Sequence, residues 1–359
     1  MVSKKENLLI ISPTLPNPKM SAGDYRVHIL TKELKEYFNI FFIPLNYKKN
    51  LTNQNIEKFL KIANIIKPIN SIKKFQNFLK EKNISICIFE KYFNMPFELH
   101  RFIPLVKLPI IDTHEIGFLK SQALSKIQKV DNIKLFKAKE LLFYKNAKIL
   151  IAITKKEKEI LQQYFPNKKI IVIPTCIKIS KTKNAFSKRK NICYFGFYGH
   201  QPNVDAVNYF IKNIFNKINI PNIKFYVLGY GSSKIKKTKN VEYVENIKNI
   251  SKELSKYKVF VCPLRYGAGL KKKILDAMSS YTPIVSTSFG VEGIKNIDTK
   301  YFDINSKDFI NKIIELYTNK NLWQKEAKYN FSIVKKYYSL NSFKRYVKDF
   351  VKTIKKQKF

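Results

Sequence analysis

The chain is poor in several residue types, and each shortage narrows the class of protein. Its 359 residues include four cysteines, ten glycines and one tryptophan. The cysteines form no C-x-x-C pair and no cluster at metal-ligand spacing, so neither a disulfide framework nor a zinc finger is expected. Each cysteine stands in a short apolar run, which predicts buried, reduced thiols and a cytoplasmic protein. No apolar run approaches the roughly 18 residues that a membrane-spanning helix needs.

Acidic residues and arginines are also scarce. The chain has 68 Lys and Arg against 26 Asp and Glu, a formal charge of +42. Nucleic-acid readers usually concentrate charge on one face and use Arg for bidentate contacts, whereas here Lys is spread along the whole chain. We therefore expect no specific nucleic-acid partner. So basic a surface is attracted to anionic lipid headgroups, which predicts peripheral contact with the inner face of a membrane.

The length and the alternation of patterns predict two α/β domains. A single core stops growing at roughly 250–300 residues. Strand and helix patterns alternate from end to end, which indicates parallel sheets covered by helices. For example, "NLLIISP" precedes the helical period of "AGDYRVHILTKELKEYF", which places Phe38 on a helix face, and "NQNIEKFLKIANIIK" is predicted to be one basic helix. The predicted parts are an N-terminal Rossmann-like domain (1–177), a linker (178–190), a C-terminal Rossmann-like domain (191–338) and a C-terminal helix that crosses back (339–359).

Two glycine pairs follow predicted strands, in "LGYGSSK" and "YGAGLKK". Neither completes G-x-G-x-x-G, and no G-x-x-x-x-G-K-[ST] occurs, so a dinucleotide fingerprint and a P-loop are both unsupported. The second pair opens into a helix whose first N–H groups favour an anion, and Lys271 and Lys273 add positive charge there. Asp276 can accept hydrogen bonds from two sugar hydroxyls, or it can pair with Lys272 or Lys273 on a solvated helix. The residues alone leave both alternatives open.

Four motifs follow one another in the second half of the chain: "YFGFYGHQPNVDAVNYF", "FYVLGYGS", "VFVCPLRYGAGLKKKILDAM" and "PIVSTSFGVEGI". The last two are similar to the nucleotide-sugar motif of glycosyltransferase family 4, the retaining nucleotide-sugar enzymes of the GT-B fold, and the first two resemble earlier strands of that family's C-domain. "ISPTLPNPKMSAGDYRVHILTKEL" resembles the opening of its N-domain. The resemblance covers most of the chain and keeps the motif order. It implies two Rossmann-like, doubly wound parallel-sheet domains that face a central cleft.

The resemblance also implies roles for particular residues of the C-terminal domain. Lys271 and Lys273 match the residues that hold the diphosphate, and Asp276 matches the residue that holds the ribose. The base is expected to contact backbone around Asn246 and Ile247. The remaining donor-binding candidates lie at the ends of the predicted strands: Gly196, Asn203, Gly229, Arg265, Gly267, Ala268, Gly269 and Glu292.

In the N-terminal domain the resemblance singles out a loop and a histidine. Gly23 and Asp24 match the loop that faces the donor, with Arg26 one turn into the helix behind it. His114, in "DTHE" after a strand, matches a histidine near the transferred sugar; the alternative is a loop histidine with an ordinary structural role.

The chain departs from the family pattern at four positions. Ala268 stands where many relatives have an acidic residue, so contact with the donor sugar would fall to loop backbone or to Glu292. Asp276 is one methylene shorter than the usual Glu. Phe197 replaces a common Arg, and Tyr281 replaces a helix-ending Gly, an unfavourable residue if φ is positive there.

The predicted function is transfer of a sugar from a nucleoside-diphosphate donor to an acceptor hydroxyl, with retention. The family resemblance implies a glycan or lipid-linked acceptor, and a role in the synthesis of cell-surface glycans or glycolipids. No Asp-x-Asp motif or ligand-spaced cluster occurs, so neither a metal nor a cofactor is expected. The alternatives are a polyanion-binding protein and a GT-B enzyme of another activity, such as a sugar-nucleotide epimerase. A phosphorylase would need a pyridoxal-phosphate lysine, and none is identifiable.

Overall fold

The computed structural model describes residues 5–18, 21–46, 53–90, 96–125, 131–235, 238–267, 269–297 and 302–357. The chain divides into two compact units. The first comprises Met1–Cys176 and Phe343–Phe359, and the second comprises Ile177–Ser342.

The first unit is a seven-stranded sheet with helices. Its strands are β1 (Glu6–Thr14), β2 (Phe38–Asn46), β3 (Asn64–Ile65), β4 (Ile84–Glu90), β5 (Leu108–Asp112), β6 (Ile149–Ala152) and β7 (Lys169–Val172). Their order is β3-β2-β1-β4-β5-β6-β7, and the described pairings are parallel. Its helices are α1 (Ala22–Leu34), α2 (Asn53–Leu60), α3 (Ile72–Glu81), α4 (Gly117–Ser125), α5 (Ile133–Asn146) and α6 (Lys155–Tyr164).

The second unit is a five-stranded sheet with helices. Its strands are β8 (Lys190–Phe195), β9 (Phe225–Leu228), β10 (Val241–Val244), β11 (Tyr257–Cys262) and β12 (Ile284–Ser286). Their order is β10-β9-β8-β11-β12, again with parallel pairings. Its helices are α7 (Gln201–Asn213), α8 (Ile250–Leu254), α9 (Lys272–Ser279), α10 (Ser288–Val291), α11 (Lys307–Thr318) and α12 (Lys320–Tyr337). Helix α13 (Leu340–Lys355) leads back into the segment that belongs to the first unit.

The strand cores follow the two-residue period of β-structure. In β1, Leu8 and Ile10 belong to one buried cluster and Leu9 and Ile11 to another, because successive side chains point to opposite faces of a sheet. The Leu8 cluster also holds apolar residues of α13, including Phe343. Both faces of the sheet are therefore covered, as parallel sheets require.

The prediction of two doubly wound parallel α/β sheets is confirmed, and two local predictions are wrong. Phe38 was expected on a helix face, but it begins β2 and lies opposite Glu6 of β1 in the sheet register. The stretch "NQNIEKFLKIANIIK" was expected as one helix, but α2 ends at Leu60 and Asn64–Ile65 pair with β2. In both places strand pairing overrides a local helical period.

The four cysteines are buried with free thiols, as predicted. None of the helices in the described ranges has the length and apolarity that crossing a membrane requires.

The segment predicted as a linker, 178–190, lies within the second unit. Arg189, near its end, is 1% exposed. Its guanidinium donates to the carbonyls of Asn184, Tyr257 and Ser280 and to Oγ1 of Thr282. It also lies 4.9 Å from the centre of the Trp323 ring. One side chain therefore ties this segment to β11, to the end of α9 and to α12.

Replacing Arg189 should destabilise the second unit. Arg189→Met leaves several buried acceptors without a donor, so we expect a loss of about 3 kcal/mol in the free energy of unfolding. Trp323 is the chain's single tryptophan, and its fluorescence during urea unfolding reports on this unit. The exposed Arg101→Met is the matched control and should change stability by less than about 0.5 kcal/mol. Equal effects of the two variants would contradict the anchoring role.

Candidate functional site

One hydrogen-bonded cluster in the second unit joins β8, α7 and α9. Lys273 Nζ donates to Oη of Tyr194 at 2.7 Å and to Oδ1 of Asn203. Asn203 Nδ2 donates to the carbonyl of Phe197 at 2.8 Å. A Cβ on Gly196 would lie only 3.0 Å from Asn203 Nδ2, so glycine allows this close approach. The structure thus brings together three predicted site residues, Gly196, Asn203 and Lys273, and adds Tyr194.

The ammonium group of Lys273 lies in a poorly solvated place. Burial, together with the positive charge of Lys271, lowers its pKa from 10.5 to about 8. Its described hydrogen-bond partners, Tyr194 and Asn203, are uncharged, and the Tyr194 ring centre is 4.5 Å from Nζ. A buried cation with neutral partners favours binding of an anion, because the anion would restore the charge balance.

The glycine loop that precedes α9 adopts backbone angles suited to glycine. Gly267 has φ +137° and Gly269 has φ +74°, in the region that other residues rarely adopt. Lys271 Nζ donates to the carbonyl of Gly269 at 2.5 Å and lies 3.9 Å from Oε2 of Glu292. The structure therefore brings Lys271 and Glu292 to the same loop. Ala268, the remaining candidate of this loop, lies outside the described residues.

Asp276 forms an ion pair on its own helix. Lys272 Nζ donates to both oxygens of the Asp276 carboxylate at 2.9 Å, and Asp276 is 6% exposed. The pairing with Lys272, one of the two alternatives left open by the sequence, is thus present. The ribose contact of Asp276 stays a prediction.

Arg265 pairs with a carboxylate of α7. Its guanidinium donates through Nε to Oδ2 of Asp205 at 2.9 Å and through Nη2 to Oδ1, and it stacks 4.4 Å from the Tyr209 ring centre. The hydrogen bond with Asp205 raises the pKa of Arg265. Arg265 therefore joins the glycine loop to α7, and its predicted donor contact stays a prediction.

The turns that follow β8 and β9 are in close contact. Gly229 has φ +117°, and a Cβ there would lie 2.0 Å from the carbonyl oxygen of Gly196, so only glycine fits. Beside it the rings of Phe197 and Tyr230 stack at 6.1 Å and 17°, although they are 56% and 69% exposed. In the sequence, Phe197 was notable only because it replaces an Arg that is common in the family. Nothing in the sequence predicted its stacking on Tyr230. Ile247, the predicted base contact, packs partly buried against the core.

The predicted donor-facing loop of the first unit is instead helical. Gly23 and Asp24 lie in the first turn of α1 (Ala22–Leu34), so their assignment to a loop is wrong. The cause is local, since Ser21 has extended backbone and its Oγ accepts from the N–H of Asp24 at 3.0 Å. A serine in this position is a favoured N-cap and starts the helix early.

Arg26 lies one turn into α1, as predicted, and its side chain is buried. Its Nε and Nη2 donate to the two oxygens of Asp112 at 2.8 and 3.0 Å, and its Nη1 donates to the carbonyls of Ile173 and Pro174. Arg26 therefore ties α1 to the ends of β5 and β7.

His114 lies at the same edge with an unusual backbone. Its φ is +56°, and its Nε2 is 2.6 Å from Oε2 of Glu90 and 3.8 Å from Oδ2 of Asp112. Glu90 and Asp112 face each other in the register of β4 and β5. Burial raises the pKa of Asp112, while the charge of Arg26 opposes that rise. Sequence reasoning missed both carboxylates, although each ends an apolar strand.

The donor atoms of Glu90, Asp112 and His114 lie within 4.8 Å of one another, a spacing that suits a metal ion. However, both oxygens of Asp112 already accept from Arg26. A cation at this place would have to compete with the guanidinium, so the geometry favours the ion-pair cluster.

Tyr281 adopts the positive φ that the family pattern suggested, at +55°. Its ring centre lies 4.3 Å from that of Phe331, with the two rings tilted by 39°, and Lys183 Nζ lies 4.6 Å from the Tyr281 ring centre. These contacts offset the backbone strain at this position.

The lowered pKa of Lys273 predicts a pH-dependent stability. Between pH 8 and 10.5 the unfolded chain holds a proton that the folded chain has released, so stability rises with pH in that window. From pH 7.5 to pH 10, the free energy of unfolding of the wild type should rise by about 2 kcal/mol relative to that of Lys273→Met. This figure is reduced to allow for partial solvent screening. Urea unfolding at pH 7.5 and 10 measures this difference. Lys272→Met is the control and should show no such trend; a flat difference for Lys273→Met would refute the burial of its charge.

The comparisons with known proteins concern both the second unit and the whole fold. Residues 189–319 match the family model described as Glycosyl transferases group 1. The structure is similar to a glycosyltransferase from Rickettsia africae ESF-5, with a TM-score of 0.68 and 14% identity over 99% of this chain and 100% of that one. It is also similar to Anabaena Alr3699/HepE in complex with UDP, with a TM-score of 0.68 and 12% identity over 97% and 100%.

A mutant of S. aureus TarM in complex with fondaparinux, alpha-GlcNAc-glycerol and UDP aligns with a TM-score of 0.58 and 19% identity. This alignment covers 77% of the present chain and 58% of that one, so the chain spans little more than half of that protein. No curated protein sequence matches. The fold and the family resemblance drawn from the motifs are confirmed at this level: the chain has the GT-B fold, and residues 189–319 of its second unit match the glycosyl transferases group 1 model.

Proposed function

We propose that the protein transfers a sugar from a nucleoside-diphosphate donor to an acceptor hydroxyl, with retention of configuration. The observation that carries this proposal is Lys273, a poorly solvated cation whose described hydrogen-bond partners are neutral, at the carboxyl edge of the second sheet. In open α/β sheets ligands bind at this edge. A diphosphate would supply the negative charge that the Lys273 environment lacks.

The neighbouring charges favour the same position for the diphosphate. Asp276 is paired with Lys272, and Arg265 is paired with Asp205, so these groups largely neutralise each other. Lys271 lies at the N-cap of α9, where no side chain caps the helix. Lys271, Lys273 and the first N–H groups of α9 therefore form the positive end of the proposed donor site.

This arrangement suits a reaction in which negative charge grows on the leaving group. As the glycosidic bond breaks, charge develops on the diphosphate. Prearranged ammonium and N–H groups stabilise that charge more in the transition state than in the ground state. In this proposal Asp276 holds the ribose, and His114 keeps the role at the sugar that the family resemblance implies.

The choice of nucleotide and acceptor rests on the similar proteins and on charge. Anabaena Alr3699/HepE binds UDP and glucose, and S. aureus TarM binds UDP and alpha-GlcNAc-glycerol. We propose a nucleotide-sugar donor, with UDP as the first candidate nucleotide. A glycan or lipid-linked acceptor in cell-surface glycan synthesis, reached at the inner face of a membrane, is consistent with the charge of +42.

A nucleotide panel tests the proposal. UDP, GDP, ADP and CMP at equal concentrations should give one clear rise in Tm, because a ligand that binds only the folded state stabilises it. The rise should be strongly reduced in Lys273→Met and retained in the exposed Lys320→Met. If all four nucleotides leave Tm unchanged while nucleic acid binds with a steep salt dependence, the polyanion-binding alternative is correct.

The ion pair of α9 allows a sharper test of the ribose contact. Asp276→Asn should weaken binding of UDP and of free uridine by at least about tenfold, roughly 1.4 kcal/mol, because the acceptor of the ribose hydroxyls is lost. Lys272→Met breaks the same ion pair but keeps the carboxylate, so it should retain nucleoside binding. Calorimetry measures both. Equal losses in the two variants would show that the pair matters structurally and that Asp276 does not hold the ribose.

A further inference from the structure

The ring of His114 is held by a buried carboxylate of the neighbouring strand. Nε2 of His114 lies 2.6 Å from Oε2 of Glu90, with side chains only 6% and 0% exposed. The distance to Asp112, 3.8 Å, is too long for a hydrogen bond. Glu90 is therefore the hydrogen-bond partner of this nitrogen, and a contact so short is typical of a charge-assisted bond.

The charges around the pair indicate where the proton lies. Glu90 and Asp112 are adjacent in the strand register, and both are buried. Arg26 donates to both oxygens of Asp112 and so compensates that carboxylate. The N–H of His114, with its nitrogen 2.6 Å from Oε2, is the donor that the geometry places on Glu90. In both the neutral and the charged form of the imidazole, this arrangement puts a proton on Nε2.

The backbone of His114 is fixed as firmly as its ring. Its φ of +56° is uncommon for a residue other than glycine. The preceding residue, Thr113, donates to the carbonyl of Ile151 through both its N–H and its Oγ1, each at 3.0 Å. The N–H of the following residue, Glu115, donates to the carbonyl of Thr113 at 2.6 Å. Strained residues that are held in this way cluster at functional sites.

We propose that Glu90 is a positioning residue for sugar transfer, which holds the proton on Nε2 of His114 and fixes the plane of its ring. With Nε2 protonated, a neutral imidazole accepts hydrogen bonds only through Nδ1, which suits a hydroxyl of the sugar substrate. The role in transfer rests on the proposed function, whereas the Glu90–His114 bond does not.

NMR of the histidine rings tests the bond without any turnover. The chain has four histidines, at positions 28, 100, 114 and 200, so ¹⁵N-labelled imidazoles give few signals. His114→Asn, which tolerates a positive φ, identifies the His114 signal by its loss. We expect Nε2–H in the wild type, a shifted Nε2 signal in Glu90→Gln and an unchanged one in Glu33→Gln, a matched change at another buried carboxylate of this unit. A wild-type ring protonated on Nδ1 alone overturns the proposal.

Kinetics with a sugar donor test the positioning role. Glu90→Gln should lower kcat about tenfold, which is less than the loss expected on removal of a group that itself transfers a proton. The KM for the donor should change by less than about twofold. In the His114→Asn background the same change should have no further effect, since the ring that Glu90 positions is gone. Glu33→Gln should keep the wild-type kcat.

The outcomes separate the two proposals. A wild type that transfers no sugar defeats the proposed function, while the NMR result still decides the bond. If Glu90→Gln transfers sugar as fast as the wild type, the positioning role of Glu90 is wrong and the proposed function still holds. If Glu90→Gln does not fold, Glu90→Asp replaces it: the charge remains but the oxygens withdraw by one methylene, and the same losses are expected.

Discussion

Parallel strand pairing is the constraint on which the candidate sites depend. In each sheet the described strands run in one direction, so the residues that follow them lie along one edge. Residues distant in sequence then become neighbours: Glu90 and Asp112 in the first unit, and Gly196 and Gly229 in the second. Apolar strands fix the scaffold, and the polar residues at their ends carry the chemistry.

The two edges handle charge in different ways. In the first unit Arg26 pairs with Asp112 and His114 with Glu90, so both of these buried carboxylates have a donor. In the second unit Lys272 and Arg265 are matched by acids, whereas Lys273 donates to a phenol and an amide. Burial of unmatched charge is unfavourable in the isolated protein. Such a group is kept most readily where a ligand of opposite charge binds.

Much of the fold could be predicted from the sequence because hydrophobic periods and glycine pairs are local signals. The parallel sheets are of this kind, whereas the positive φ of Tyr281 could be expected only from the family resemblance. Side-chain partners depend on strand order and were beyond reach: nothing adjacent to Arg26 in the sequence indicates a pairing with Asp112, 86 residues away. Gly23 and Asp24 were predicted in a loop because that prediction followed the family resemblance. The local signal was Ser21, an N-cap residue that starts the helix ahead of both.

The departures from the family pattern are better explained by packing than by loss of the site. Tyr281 compensates its strained backbone with contacts to Phe331 and Lys183. Phe197 stands where relatives often have Arg, yet its carbonyl oxygen still accepts from Asn203, which in turn accepts from Lys273. The backbone of this turn therefore keeps its place beside the ammonium group although the guanidinium is missing. The positive charge of the second unit's edge is then concentrated in α9, where Lys271 and Lys273 stand two residues apart at the start of one helix.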